Sequence, residues 1–236
     1  MKKGLIFVFC LVLVISHLSL VICSADDMIW NGPADRRVVA LTFDDGPKIE
    51  GSPAILDILY QHGVKATFFV VGSEVEQNPD IVFRMHDYGH EVANHFHSNE
   101  RLKDIAQSRA ISGILKTNES VRGITGETPR FFRPPGGSVP AYISREILAI
   151  GMRIVGWSIN AEDYTEFTES FEIEKNYREA ADILKEKVVS EARPGAIVLL
   201  HNGSKQTIMA LPEIIVELRK NGYGFVTVSE LLEGGV

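Results

Sequence analysis

Cysteine is nearly absent from this chain: two in 236 residues, Cys10 and Cys23, both near the start. From Ser24 onward no disulfide and no thiolate metal site can form, so a packed core must hold the fold. Positive charge is in deficit, 24 Lys and Arg against 31 Asp and Glu, and the basic residues form no run. A chain with a formal charge of −7 and no basic patch has no electrostatic case for nucleic acid or an anionic membrane surface. Also missing are a glycine-rich phosphate loop, an internal repeat, a low-complexity stretch and a linker that would divide the chain.

Long apolar runs are lacking too, with one exception. Met1-Lys2-Lys3 leads into an apolar run from Gly4 to Cys23, a small-residue exit at Cys23-Ser24-Ala25, and a first acid only at Asp26. That order reads as a secretory signal, and the run is also long enough for an uncleaved N-terminal anchor. Residues 1–25 are therefore set apart as signal peptide or membrane anchor, and 26–236 are expected to form one domain, secreted or held at the cell envelope. Losing the leader removes two lysines and no acid, which takes the charge from −7 to −9.

What remains alternates between two periodicities. Val38–Leu41, Ala66–Val71, Glu91–Asn94, Phe131–Arg133, Arg153–Trp157, Ala196–Leu200 and Tyr223–Val228 read as strands. Between them, apolar spacing and punctuation predict helices starting at Ser52-Pro53 and over Pro79–Tyr88, Ile105–Arg122, Ala141–Ile150, Glu179–Ala192 and Ile208–Asn221. Strands alternating with helices imply a parallel sheet with right-handed crossovers, an α/β barrel or a doubly wound sheet.

Reactive side chains fall just after these strands. Asp44 and Asp45 follow the first, in Thr42-Phe43-Asp44-Asp45-Gly46-Pro47; strand alternation starts the two carboxylates in opposite directions. His95, with Asn99 four residues on, follows the third strand; Arg133 follows Phe131-Phe132; Asn160 and Asp163 follow Trp157; His201 follows Ile197–Leu200. In a parallel barrel these strand ends share one face, where catalytic groups collect. His86 and His90 are read as surface or helix-end residues, and His97 as turned away from His95.

These segments, in this order, resemble the five motifs of the polysaccharide deacetylases, the NodB-homology domains of carbohydrate esterase family 4. The carriers are Thr42–Pro47, Asn94-His95 with Ser98 and Asn99, Arg133-Pro134-Pro135-Gly136-Gly137, Trp157 with Asp163, and Leu199-Leu200-His201. The resemblance implies a distorted (β/α)7 TIM-like barrel and removal of acetyl groups from polysaccharide with one divalent metal, zinc first, with cobalt, manganese or nickel as alternatives. Carried over by position, Asp44 resembles the general base, His201 the general acid, Arg133 the group that holds Asp44, and Asp163 the one that orients His201. Asp45, His95 and Asn99 stand at the metal-ligand positions, and Gly136, Pro135, Tyr164, Trp157 and Leu199 at substrate-lining ones.

The chemistry suits these residue types. Amide hydrolysis needs an activated water, which a metal and a carboxylate base supply, an oxyanion site such as the metal and the Gly136 N–H, and a proton for the leaving amine. Asn99 departs from the family's histidine and offers a harder oxygen donor, which predicts weaker metal binding and a drift toward oxygen-preferring metals. Gly136 stands where a tyrosine is usual, and Tyr164 where a tryptophan is.

The function expected is an exported N-deacetylase of a GlcNAc-type polymer, peptidoglycan or chitin-like, with no nucleic-acid or protein partner implied. The alternatives are a non-catalytic or weakly active glycan-binding member of the same fold, because of Asn99, and an O-deacetylase of xylan-like polymers. A two-carboxylate glycosidase is disfavoured, since adjacent Asp44 and Asp45 are poorly placed to flank a glycosidic bond.

Overall fold

A computed structural model describes residues 28–164 and 173–234; the leader 1–25 and part of the loop after Tyr164 lie outside the described residues. The chain opens with β1 (Met28–Ile29), then β2 (Val38–Gly46), α1 (Ser52–Gln61), β3 (Thr67–Val70), α2 (Gly72–Gln77), α3 (Pro79–Asp87) and β4 (Glu91–Asn94). It continues through α4 (Gln107–Thr125), β5 (Phe131–Phe132), α5 (Ala141–Ala149), β6 (Arg153–Val155), β7 (Ile159–Asn160) and α6 (Ile173–Glu191). β8 (Ala196–His201), α7 (Lys205–Lys220), β9 (Gly224–Phe225) and α8 (Val228–Glu233) complete it.

All strand pairs are parallel, in the order β1-β6-β5-β4-β3-β2-β8-β7 with β9 on β2. β6 and β7 are successive parts of one extended stretch: its start pairs with β5 and its end with β8, so the sheet curls into a barrel. β1 adds to β6, and Asn31 bridges to Ala196 at the foot of β8. The expected single-domain barrel is the fold observed.

Alternation sorts the side chains into layers. Val39, Leu41 and Phe43 of β2 join Val198 and Leu200 of β8 in the layer beneath the helices, whereas Ala40, Phe69, Ala93, Phe131, Val155 and Ile197 fill the barrel interior. Val228 and Leu231 of α8 belong to that interior cluster and plug its lower end. Thr227 and Glu230 form a reciprocal capping box on this short helix. Glu91 clasps it to the barrel, accepting from Thr67 Oγ1 at 2.9 Å and from the Ser229 N–H at 3.1 Å, while the Val228 N–H donates to Thr67 Oγ1 at 2.9 Å. Glu91→Ala leaves these donors without their acceptor and is expected to cost about 1–3 kcal/mol. Thermal unfolding checks this; an unchanged Tm would remove the clasp from the account.

Several elements depart from the sequence expectation. β1 and α2 were not expected, because a two-residue strand and a six-residue helix carry too little periodicity to register. The Ser52-Pro53 start predicts Ser52 as N-cap and Pro53 as first helical residue. In the structure Ser52 is itself the first helical residue, with Gly51 as cap, and its hydroxyl accepts from the Lys48 N–H at 2.7 Å and donates to Asn202 Oδ1 at 2.9 Å. His90 is buried, not a surface residue. Its Nδ1 accepts from the Ala66 N–H at 3.2 Å, and burial, with charge from Lys65, pushes the imidazole down to about 4.

Candidate active site

The site is built where β2, β4, β5, β7 and β8 end. Thr42 and Asp44 keep the inward parity of Ala40, and Asp44 pairs in register with His201 across the β2–β8 ladder. Parity alone would send Asp45 outward. Its backbone is left-handed instead (φ 67°), next to a register shift between Phe43 and Gly46, and this re-aims its carboxylate at the same histidine that Asp44 approaches.

Arg133 is the buried hub. The guanidinium is fully enclosed, with Nη1 donating to Asp44 Oδ1 at 2.7 Å and to Thr42 Oγ1 at 2.8 Å, and Nη2 donating to the Gly156 carbonyl at 2.8 Å. It stacks on Phe69 at 4.0 Å and lies near Trp157 at 5.8 Å. Burial lowers its pKa, and the charge and hydrogen bond of Asp44 oppose that shift.

His95 leaves β4 through a tight local turn. Asn94 Oδ1 accepts from the Phe96 N–H at 2.7 Å, and its Nδ2 donates to the Ile114 carbonyl at 2.8 Å and to Asn118 Oδ1 at 2.7 Å. Phe96 is held left-handed (φ 68°), its ring packed into the space that Gly113 leaves open on α4. His95 Nδ1 donates to the Arg133 carbonyl at 2.8 Å, so in the neutral ring Nε2 carries the lone pair. That nitrogen faces Asp45 Oδ1 at 3.4 Å and Asp44 Oδ2 at 3.8 Å. Burial acts to raise the Asp45 carboxyl, but the hydrogen bond and charge of His95, with the charges of His201 and Lys48, leave it below its ordinary value. His97 does turn away, its Nε2 lying 2.9 Å from Lys116 Nζ and 3.4 Å from Glu76 Oε1.

On the opposite side, Asp163 is buried and grips His201 twice: Oδ1 lies 2.6 Å from Nδ1, and Oδ2 accepts the backbone N–H at 2.7 Å. Thr207 at the start of α7 donates a third hydrogen bond to Oδ2, and Ser204 Oγ donates to the Asp163 carbonyl at 2.7 Å. Burial works against ionisation of both partners, yet their mutual hydrogen bond and charge lower the Asp163 pKa and raise that of His201, with Asp44 and Asp45 adding to the latter.

The structure therefore brings Asp44, Asp45, His95, Arg133, Asp163 and His201 to one end of the barrel. Tyr164 is exposed and meets the His201 ring edge-on at 5.8 Å. Leu199 is buried on β8, two residues before His201, and Pro135 is buried beneath exposed Gly136. Trp157 is half-buried against Gly137, where an added Cβ would fall 2.4 Å from the indole ring. Asn99 is exposed on the bend after His95, and its side chain makes no hydrogen bond among the described residues. A cavity of about 960 Å³ along α4 and α5 shares none of these residues; a 370 Å³ cavity borders Asp163 and Tyr164.

Among the described residues no three His, Cys, Asp or Glu side chains gather as a metal-binding set, and Asp44 is engaged by Arg133 through Oδ1. Asp45 and His95 remain, an anionic oxygen and a lone-pair nitrogen facing each other, which is the donor chemistry a divalent cation satisfies. The residues fit a metal with two protein donors and leave the contribution of Asn99 open to solvent. Thr42, Asn94 and Thr207 were not singled out from sequence; Thr42 and Asn94 sit inside the motifs, whereas nothing local marks Thr207.

The family model described as polysaccharide deacetylase matches residues 31–155. The peptidoglycan-N-acetylglucosamine deacetylase PgdA of Listeria monocytogenes is 40% identical over 196 residues, covering 83% of this chain and 39% of PgdA. The chain thus spans about two-fifths of that relative's length. The solved Bc1960 peptidoglycan N-acetylglucosamine deacetylase superposes with a TM-score of 0.80 at 32% identity, covering 88% of this chain and 93% of that one. BA3943 from Bacillus anthracis, described as a family 4 pseudoenzyme, gives 0.76 at 30% identity, covering 86% and 68%. The chain belongs to the polysaccharide deacetylase family.

Proposed function

We propose that this chain is an exported, metal-dependent N-deacetylase of a peptidoglycan-type glycan. The observation that carries the reading is the pairing of opposite acid–base environments across one site: a carboxylate held by a buried arginine, and a histidine whose pKa a buried aspartate raises. Asp44 takes the proton of the attacking water, with Arg133 holding that carboxylate in place through Nη1. His201 gives its proton from Nε2 to the departing amine, while Asp163 holds Nδ1. Asp45 and His95 would hold the metal, with Asn99 as a third oxygen donor; when bound, such an ion polarises the acetyl carbonyl and lowers the pKa of water. Tyr164, Trp157, Leu199 and the Pro135-Gly136 turn would line the sugar.

The similarity to Listeria PgdA and to Bc1960 supports peptidoglycan over chitin or xylan. A second reading, a glycan-binding member without turnover, is favoured by one observation, the exposed and unengaged Asn99, and by the likeness to BA3943. Acetate release from N-acetylated peptidoglycan, measured beside the metal content of the purified protein, separates the two. Neither acetate nor bound metal is the result that rejects the enzyme.

The raised pKa of His201 sets a pH dependence. A general acid works while protonated, so kcat falls as pH rises through its pKa. Asp163→Asn removes the anion that raises it; the alkaline limb is expected to move to lower pH, with kcat at the optimum reduced about 10²-fold. A limb that stays in place would mean that another group donates the proton.

A further inference from the structure

Arg101 has no place in the chemistry above, yet it stands at the mouth of the site. It is exposed on the segment that runs on from His95 and Asn99, and its guanidinium makes no hydrogen bond or ion pair among the described residues. Its neighbour is Gly136, on the turn three residues after Arg133. A Cβ added to Gly136 would lie 3.3 Å from Arg101 Nε and 3.8 Å from Cδ and Cγ. Arg101 therefore occupies the space that a side chain at position 136 would take, and it brings a positive charge there.

Two cations close to the site are already committed. Arg133 is bound to Asp44 at 2.7 Å, and Lys48 to Glu74 at 2.7 Å. The site otherwise presents carboxylates, Asp45 among them, on a chain with a net charge of −7. An acidic polymer meets no long-range attraction from such a protein, so a local cation has to hold any anionic group it carries. A planar guanidinium with free donors, laid against an exposed glycine turn, is suited to a carboxylate in bidentate contact.

We propose that Arg101 reads a carboxylate borne by the glycan, on the sugar seated over the Gly136 turn, and so selects an acidic acetylated polymer over a neutral one. In peptidoglycan such a group is supplied by the lactyl ether of muramic acid in peptide-free strands, or by the free acids of a stem peptide. The proposal deepens the deacetylase reading and rests on it.

The test compares wild type, Arg101→Gln and Arg101→Lys on three substrates: a neutral GlcNAc oligomer, a peptide-free GlcNAc–muramic acid strand, and the same strand carrying stem peptides. Both acetate release and calorimetric binding are read. Arg101→Gln is expected to lower kcat/KM and affinity about tenfold on an acidic strand while leaving the neutral oligomer within about twofold, with partial recovery in Arg101→Lys. Added salt should erode the wild-type preference. The acidic strand that responds identifies the carboxylate. Equal effects on neutral and acidic oligomers, or none on either, overturn the proposal. If wild type releases no acetate from any substrate, the deacetylase reading fails, and the binding arm still decides whether Arg101 recognises the acid.

Discussion

Asp44→Asn is expected to lower kcat by about 10³-fold while leaving the fold and the affinity for metal near wild type. The carboxamide is isosteric and its oxygen can still accept from Arg133 Nη1, so the 2.7 Å contact has a neutral substitute. What it cannot do is take a proton from water. The loss should appear in kcat with little change in KM, because a group that acts on the reacting proton contributes in the transition state and not to sugar binding. Steady-state acetate release over a range of glycan concentrations checks it; activity within about tenfold of wild type would show that another group is the base.

Arg133→Met is the substitution with the largest expected effect on stability. It removes the partner of a carboxylate that is almost fully buried, and it strands the Gly156 carbonyl, while the Thr42 hydroxyl keeps its bond to the Val198 carbonyl at 2.6 Å. Breaking a buried pair from one side costs about 3–5 kcal/mol, since the charge left behind has neither water nor counter-ion. Loss of stacking on Phe69 adds to it. In the double variant Arg133→Met, Asp44→Asn the uncompensated charge is gone, and a substantial part of the stability should return although activity stays absent. Denaturant unfolding of the two single variants and the double variant measures the coupling; additive losses would mean that the pair is not the hub described.

How far the site was legible follows from which relationships are local. Asp44, His95, Arg133, Asp163 and His201 all sit just past apolar runs, and a parallel barrel sends such positions to one end, so their meeting could be anticipated. The direction of Asp45 could not. Strand alternation separates it from Asp44, and only the left-handed residue after the bulge brings both to His95. The long-range clasps were equally hidden: Thr207 reaches Asp163 across 44 positions, and Glu91 reaches Ser229 across 138, distances over which no periodicity carries information. His90 misled because its neighbours read as a helix end, whereas burial came from the sheet beside it. Asn99 was legible as a motif position, but its exposure was not.

In the proposed mechanism two adjacent carboxylates divide the work, Asp44 to the proton and Asp45 to the metal. The most direct measurement is zinc uptake by equilibrium dialysis for wild type, Asp44→Asn and Asp45→Asn. Asp44→Asn is expected to bind one ion with near wild-type affinity, while Asp45→Asn, left with His95 and an exposed amide, loses binding by at least about tenfold. Retained binding in Asp45→Asn together with its loss in Asp44→Asn would contradict it.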